Sequence, residues 1–296
     1  MAKPFQYGGQ AVIEGVMMLG AKGSAIAVRK PSNEIVLKES TRTPLREKYP
    51  ILKWPIFRGC VSLFESLIVG IQAITWSANQ VGESEEEKLT PWELTVTIII
   101  ALGLGIGMFI LLPVSAASFA LPVVGPFGRS ALEGLIRVII FIGYIYAIGQ
   151  MKDIQRIFAY HGAEHKTIAA LEAGEELVPE NARKYSRIHP RCGTSFILMV
   201  MILMILIFTF IGQTGTLMRV FIKILMMPVV AGLAYEVIKF SGRHSQNKLV
   251  QALVAPGMWL QKLTTREPDD AQLEVAIAAL KAVMPKAESP SNTLAE

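Results

Sequence analysis

Apolar residues gather in blocks along this chain, and the block lengths decide the class of fold. A helix that crosses a bilayer needs about 20 mostly apolar residues. Four segments approach or meet that length: Glu93 to Leu112, closed by Pro113; Leu132 to Ile148, with Arg137 well inside it; Phe196 to Ile211; and Leu217 to Tyr235, with Arg219 and Lys223 near its start. A fifth apolar block, Ile56 to Val81, has a different pattern. Its polar residues Arg58, Glu65, Gln72 and Asn79 recur every seven positions and share one helical face. An amphipathic helix of this kind is expected to lie at the membrane interface, or to re-enter it, rather than to cross alone.

Outside these blocks the pattern changes period. Ala25 to Arg29 and Glu34 to Lys38 read as strands around the turn Pro31-Ser32-Asn33, and upstream Gly8-Gly9-Gln10 and Gly15 flank Ala11 to Glu14. Asp270 to Val283 reads as an amphipathic helix with an Asp N-cap, followed from Pro285 by a polar tail expected to be disordered. The expected fold is an all-α polytopic membrane protein of about four transmembrane helices plus an interfacial helix, with a small N-terminal β element. Along the chain this gives an N-terminal β element at 1–54, the amphipathic helix at 55–81, a transmembrane hairpin at 93–148, a polar loop at 149–195, a second hairpin at 196–236, and C-terminal helices and tail at 237–296.

Composition agrees. Of 296 residues, 52% are hydrophobic and 18% charged, against about 25% charged in globular proteins, and mean hydropathy is +0.43. The net charge of +5 could suit a nucleic-acid partner, but the basic residues lie in alternate loops. Eight precede the first span, from Lys22 to Lys53, and seven lie between the second and third, from Lys152 to Arg191. Arg129 alone lies between the first and second spans, and Gly212 to Thr216 holds none. Such alternation orients a multi-pass protein of the cell (inner) membrane with both termini in the cytoplasm. The expected partners are the lipid bilayer, anionic headgroups or other membrane proteins, and no nucleic acid; no oligomeric state is legible. No cleavable signal peptide is visible at the N-terminus. Two cysteines, Cys60 and Cys192, make no disulfide framework and are expected to be free thiols, or one of them a ligand.

Candidate chemistry concentrates between Tyr160 and Thr194. The run Tyr160-His161-Gly162-Ala163-Glu164-His165-Lys166 lies in a segment of helical periodicity, 153 to 173, with Gly174 as its C-cap. On a helix His161 and His165, at i and i+4, stack on one face and can reach one ion. His-x-x-Glu-His is the inverzincin arrangement, in which the histidines bind zinc and the glutamate activates water. Five positions with three fixed make a weak motif, and a solvated helix is the plain alternative. The turn His189-Pro190-Arg191-Cys192-Gly193-Thr194 strengthens the reading, since His189 and Cys192 sit three apart in a Pro- and Gly-containing turn suited to a metal knuckle. Four bound ligands would make a closed structural site; three would leave a position for water. Glu236 is a further candidate ligand, set against simple pairing with Lys239. Glu14 is an acid or a turn residue. Lys166, Arg183, Lys184 and Arg187 are either an anion clamp or topological determinants. His244 is given no role.

The chain resembles the YqhQ-like family of bacterial membrane proteins. The resemblance rests on the stretch Gly8 to Met18, on Pro55 to Gly59, on Tyr160 to Lys166 and His189 to Phe196, and on Pro256-Gly257, Leu260-Gln261 and Thr264 to Pro268. It covers nearly the whole chain, with no departure at the His, Glu or Cys positions. It implies a domain of unknown function labelled a predicted metal-dependent enzyme, and it brings no reaction. The expectation is therefore a membrane protein dependent on a divalent metal, zinc by preference. His161, His165, His189 and Cys192 would be the ligands and Glu164 the catalytic base of a hydrolase; the alternative is a membrane scaffold or regulator with a structural metal site. A transporter is disfavoured because Arg137 is the one charge read as lying well inside a span.

Overall fold

The structure, a computed structural model, describes residues 7–20, 23–41, 45–82, 90–119, 121–190, 192–210, 215–243 and 247–285. It is a mostly helical polytopic membrane protein carrying a four-stranded N-terminal sheet. The tail beyond 285, His244 and most of the turn before Thr216 lie outside the described residues.

Strands β1 (Gly8–Val12), β2 (Gly15–Leu19), β3 (Gly23–Arg29) and β4 (Ile35–Thr41) pair antiparallel in chain order. Glu14, at φ +50, and Asn33, at φ +69, occupy the hairpin turns. β3 and β4 match the expected strands; β1 and β2 are additional. Their absence from the sequence reading has a physical cause in β2, where no residue is polar. Met17 packs with Val12, Ile26 and Val28 against one neighbour, whereas Val16 and Met18 face the other way into a second core. A strand covered on both sides loses the apolar–polar alternation that marks a strand.

After the short helix α1 (Leu45–Lys48), α2 (Phe57–Val81) joins the sheet to the spans. Near its start Arg58 donates to Glu236 at 2.5 Å and Cys60 Sγ donates to the Pro228 carbonyl at 2.9 Å. Towards its end Val69, Ala73 and Trp76 cover the sheet, and Ser77 Oγ accepts from the Ile13 N–H. α2 is long and apolar enough to cross a membrane by length and composition, and one face of its second half packs on the sheet.

Helix α3 (Pro91–Ile106) opens with a capping box between Thr90 and Glu93. It passes through a π-turn at Gly107–Leu111 into α4 (Leu112–Phe119). Pro113 therefore does not close this span as the sequence suggested. Proline removes the N–H that the Phe109 carbonyl would accept, and Arg137 Nε supplies that donor instead, at 2.7 Å. α5 (Leu121–Ile148) is broken at Gly125 (φ +67), leaving 127–148 as the straight apolar helix. α6 (Lys152–Glu172) ends at Gly174 in the left-handed region, as the C-cap signal predicts. α7 (Pro179–Ala182) is one turn. α8 (Gly193–Thr209), at 17 residues, is the shorter apolar helix, and α9 (Thr216–Arg243) is the last long one. α10 (Lys248–Thr264) leads to α11 (Asp270–Val283), which is capped reciprocally by Asp269 and Gln272. Among the described residues four helices reach the length and apolarity of a span: Phe57–Val81, Trp92–Phe119, Phe127–Ile148 and Thr216–Ser241. Large apolar residues such as Leu102, Leu104, Phe221 and Leu225 are exposed on them, as a lipid-facing surface requires.

The second core unites three distant parts of the chain. Val16, Met18 and Ala27 of the sheet pack with Tyr160, Ala163 and Ile168 of α6 and with Leu273, Ala276, Ile277 and Leu280 of α11. The sheet thus lies between α2 and the pair α6–α11, and this core packs against the middle of α6.

Candidate metal centre

His161 and His165 stack on one face of α6 with ring centroids 4.4 Å apart. Each ring is fixed by a main-chain carbonyl. His161 Nδ1 lies 2.9 Å from the Thr264 oxygen and His165 Nδ1 lies 2.7 Å from the Arg187 oxygen. A carbonyl only accepts, so both Nδ1 atoms carry a proton, which leaves the Nε2 atoms as the positions that can ligate. His161 Nε2 is 3.2 Å from Cys192 Sγ. The ligand atoms of His161, His165 and Cys192 all lie within 4.8 Å of one another, a spread that one ion can bridge after small side-chain adjustment. An orienting acceptor behind each imidazole is the usual outer shell of a histidine metal ligand. Two imidazoles and a thiol form a donor set that fits zinc.

Local sequence explains the closeness. Gly162 lies under the chain that follows α10; a Cβ there would stand 2.1 Å from the Arg266 carbonyl. Only a residue without a side chain lets that segment cross α6, where Arg266 N–H donates to the Phe158 carbonyl at 2.8 Å. That crossing brings the Thr264 carbonyl to His161. The turn carrying Cys192 is held from the other side by the buried Gln261, whose amide bonds both the N–H (2.8 Å) and the carbonyl (2.9 Å) of His189.

Glu164 lies one residue before His165 and is buried. Burial raises its carboxyl to about 7; the nearby Cys192 adds to this, while His161 and the Gly9 N–H oppose it. Gly9 lets β1 come this close, since a Cβ there would meet the Met17 carbonyl at 2.5 Å and the Glu164 carboxyl at 3.1 Å. Among the described residues Glu164 Oε2 makes no hydrogen bond. Burial lowers His165 to about 3, helped by His161 and His189, so its ring is neutral. Burial raises the Cys192 thiol, which stays protonated in the absence of a cation.

The four residues expected as ligands are thus not equivalent. His161, His165 and Cys192 converge. His189 is the neighbour, its ring 5.6 Å from that of His165 and its Nε2 3.5 Å from Glu172. Glu236 pairs with Arg58 and lies outside the cluster. Glu14 is a turn residue whose carboxylate is held by Arg156 and by Tyr160 at 3.3 Å. The basic residues considered as an anion clamp are engaged internally: Lys166 donates to the Arg183 and Tyr185 carbonyls and pairs with Glu267, Arg183 pairs with Asp270, and Arg187 pairs with Glu267. The sequence reading missed Thr264, Gln261 and Gly162. Gly162, between His161 and Glu164, is the one visible hint, since a small residue inside the motif marks close approach.

Beside the cluster, Pro190 and Ser195 help to line an open cavity of about 500 Å³ between α8, α9 and α10, with Met199, Ile238, Val254 and Met258 among its walls.

Residues 54–286 match a family described as "Protein of unknown function (DUF1385)". The chain is 32% identical over 311 residues to "Uncharacterized protein YqhQ" of Bacillus subtilis (strain 168), covering 98% of each protein. No solved structure matches at a significant level.

Proposed function

The chain belongs to the DUF1385 family of proteins of unknown function, and within it we propose a metal-dependent membrane hydrolase that works at the cytoplasmic face of the cell membrane. The observation that carries the reading is the gathering of two imidazoles, each held by a carbonyl behind it, with the Cys192 sulfur, their ligand atoms within 4.8 Å of one another. His161, His165 and Cys192 would hold a divalent ion, zinc by its donor set, and His189 would line the site. A bound zinc ion supplies Lewis acidity and makes water acidic near neutral pH. The residues of the chain do the rest. Glu164, buried and with one oxygen free, takes the proton from water and returns it to the leaving group. The Thr264 and Arg187 carbonyls keep the imidazoles oriented. The adjoining apolar cavity accepts the hydrophobic part of a membrane-derived substrate. The basic residues around α6 and before α2 support a cytoplasmic position for this end.

Metal analysis of the purified protein should find about one zinc per chain, and His161→Ala should lose it. A wild-type protein without stoichiometric metal ends the reading. Glu164→Gln should keep the metal and lower hydrolysis of lipid or peptide substrates by about 10²–10⁴-fold. A second reading, a scaffold with a structural site, draws on the way the cluster ties α6, the 187–192 turn and the end of α10 together. Under that reading chelation unfolds the domain and Glu164→Gln changes nothing.

A further inference from the structure

A second cluster of charges lies on α5 and α9 and shares no residue with the metal centre. From 94 to 151 and from 194 to 235 the chain contains a single acid, Glu133, against Arg129, Arg137, Arg219 and Lys223. Arg129, Glu133 and Arg137 follow each other at one-turn spacing on α5, as do Arg219 and Lys223 on α9, so each helix turns its charges to one face. The two faces meet. Glu133 accepts from Arg137 at 2.6 Å and from Arg219 at 3.1 Å, and it also contacts Lys223 Nζ. Arg219 further donates to Ser130 at 2.7 Å, Arg129 donates to Ser118 at 2.7 Å, and Lys223 lies 4.7 Å from the Phe208 ring centre. All five charged residues are at most 4% exposed. Arg129 Nε has no hydrogen-bond partner among the described residues.

The arithmetic of charge is unbalanced. Guanidinium groups do not deprotonate in proteins, so three arginines face one carboxylate even if Lys223 is neutral. Buried charge without a counter-charge is costly by several kcal/mol per ion, and ionisable residues within membrane helices mark functional sites. Cations here also run against the orientation rule that the other loops obey.

We propose that this cluster binds a phosphate-type oxyanion, with Arg129, Arg219 and Lys223 as its donors and Glu133 as the group that holds them in register. Arginine forks and a lysine ammonium suit phosphate oxygens. A charge of one or two minus reduces an excess that is three with Lys223 charged and two with it neutral. Arg129 lies in the first turn of the 127–148 span, nearest the membrane surface, and Lys223 lies deeper. The source is either a phospholipid headgroup or free phosphate. The inference is independent of the metal reading, since it uses none of its residues.

The test uses the full-length protein purified in neutral detergent. Two arms read the source: thermal unfolding with inorganic phosphate against sodium chloride at equal ionic strength, and native mass spectrometry after adding phosphatidylglycerol or phosphatidylcholine. The expected result is saturable binding in at least one arm, a Tm rise with phosphate or a phosphatidylglycerol adduct that phosphatidylcholine does not form. Arg129→Gln should weaken it about tenfold. If that variant does not fold, Arg129→Lys, which keeps the charge but loses the fork, should show a smaller weakening. A response to phosphate alone assigns a free anion; a phosphatidylglycerol adduct alone assigns a headgroup. Wild-type protein that responds in neither arm, or binding unchanged in the Arg129 variants, overturns the proposal.

Discussion

The two polar centres of this protein are built on opposite principles. In the first, His161 and His165 of α6 meet Cys192, each imidazole directing its Nδ1–H outward to a carbonyl. In the second, Arg129, Arg137, Arg219 and Lys223 bring protons together around one carboxylate. The first centre is complementary to a cation and the second to an anion. They also differ in support. The histidine centre is held by main-chain groups and a crossing segment, the cationic centre by side chains on two helices. Changes to backbone packing should therefore harm the first, and changes to charge the second.

The largest effect is expected from Glu133→Gln, which leaves Arg137, Arg219 and Lys223 without their shared counter-charge. Removing one partner of a buried ion pair costs about 3–5 kcal/mol, and thermal unfolding in detergent measures it. A loss below about 1 kcal/mol would mean that the cluster is solvated, and the contrast between the centres would fail. Next comes Gly162→Ala. Its methyl group would push the Arg266 segment off α6, costing about 1–3 kcal/mol and pulling Thr264 from His161. Metal content should fall with stability in this variant while phosphate binding stays unchanged. The smallest effect serves as the control. Glu274→Ala breaks the exposed pair with Arg29 and should cost less than about 1 kcal/mol, leaving both centres as they were.

How much of this was legible follows the same division. The i, i+4 histidines and the His189–Cys192 spacing are visible because one helix and one turn carry them. The acceptors behind the imidazoles are not, since a carbonyl at Arg187 or Thr264 leaves no mark in sequence. The cationic centre was half legible. Arg137 stood out as a charge inside a span, but Arg219 and Lys223 read as residues near a helix start and Glu133 went unread. Two stripes on separate helices become one cluster only when the helices are placed face to face. The argument against a transport pathway from Arg137 alone therefore loses its premise. In the fold, α6 and α11 were read to within a residue, α6 from its periodicity and the Gly174 C-cap and α11 from its Asp269 N-cap. β2 was missed because protein covers both its faces.

The union of β2, β3, α6 and α11 in one core has a consequence for synthesis. The strands leave the ribosome about 240 residues ahead of the helix that covers them. At about 5–20 residues per second, Val16, Met18 and Ala27 lack their α11 partners for roughly 10–50 s, while the apolar helices between them are being inserted. The Thr264 carbonyl, which orients His161, arrives equally late. A nascent chain stopped before residue 264 would lose the setting of its earliest strands and of its histidines together, so the domain is completed from its end.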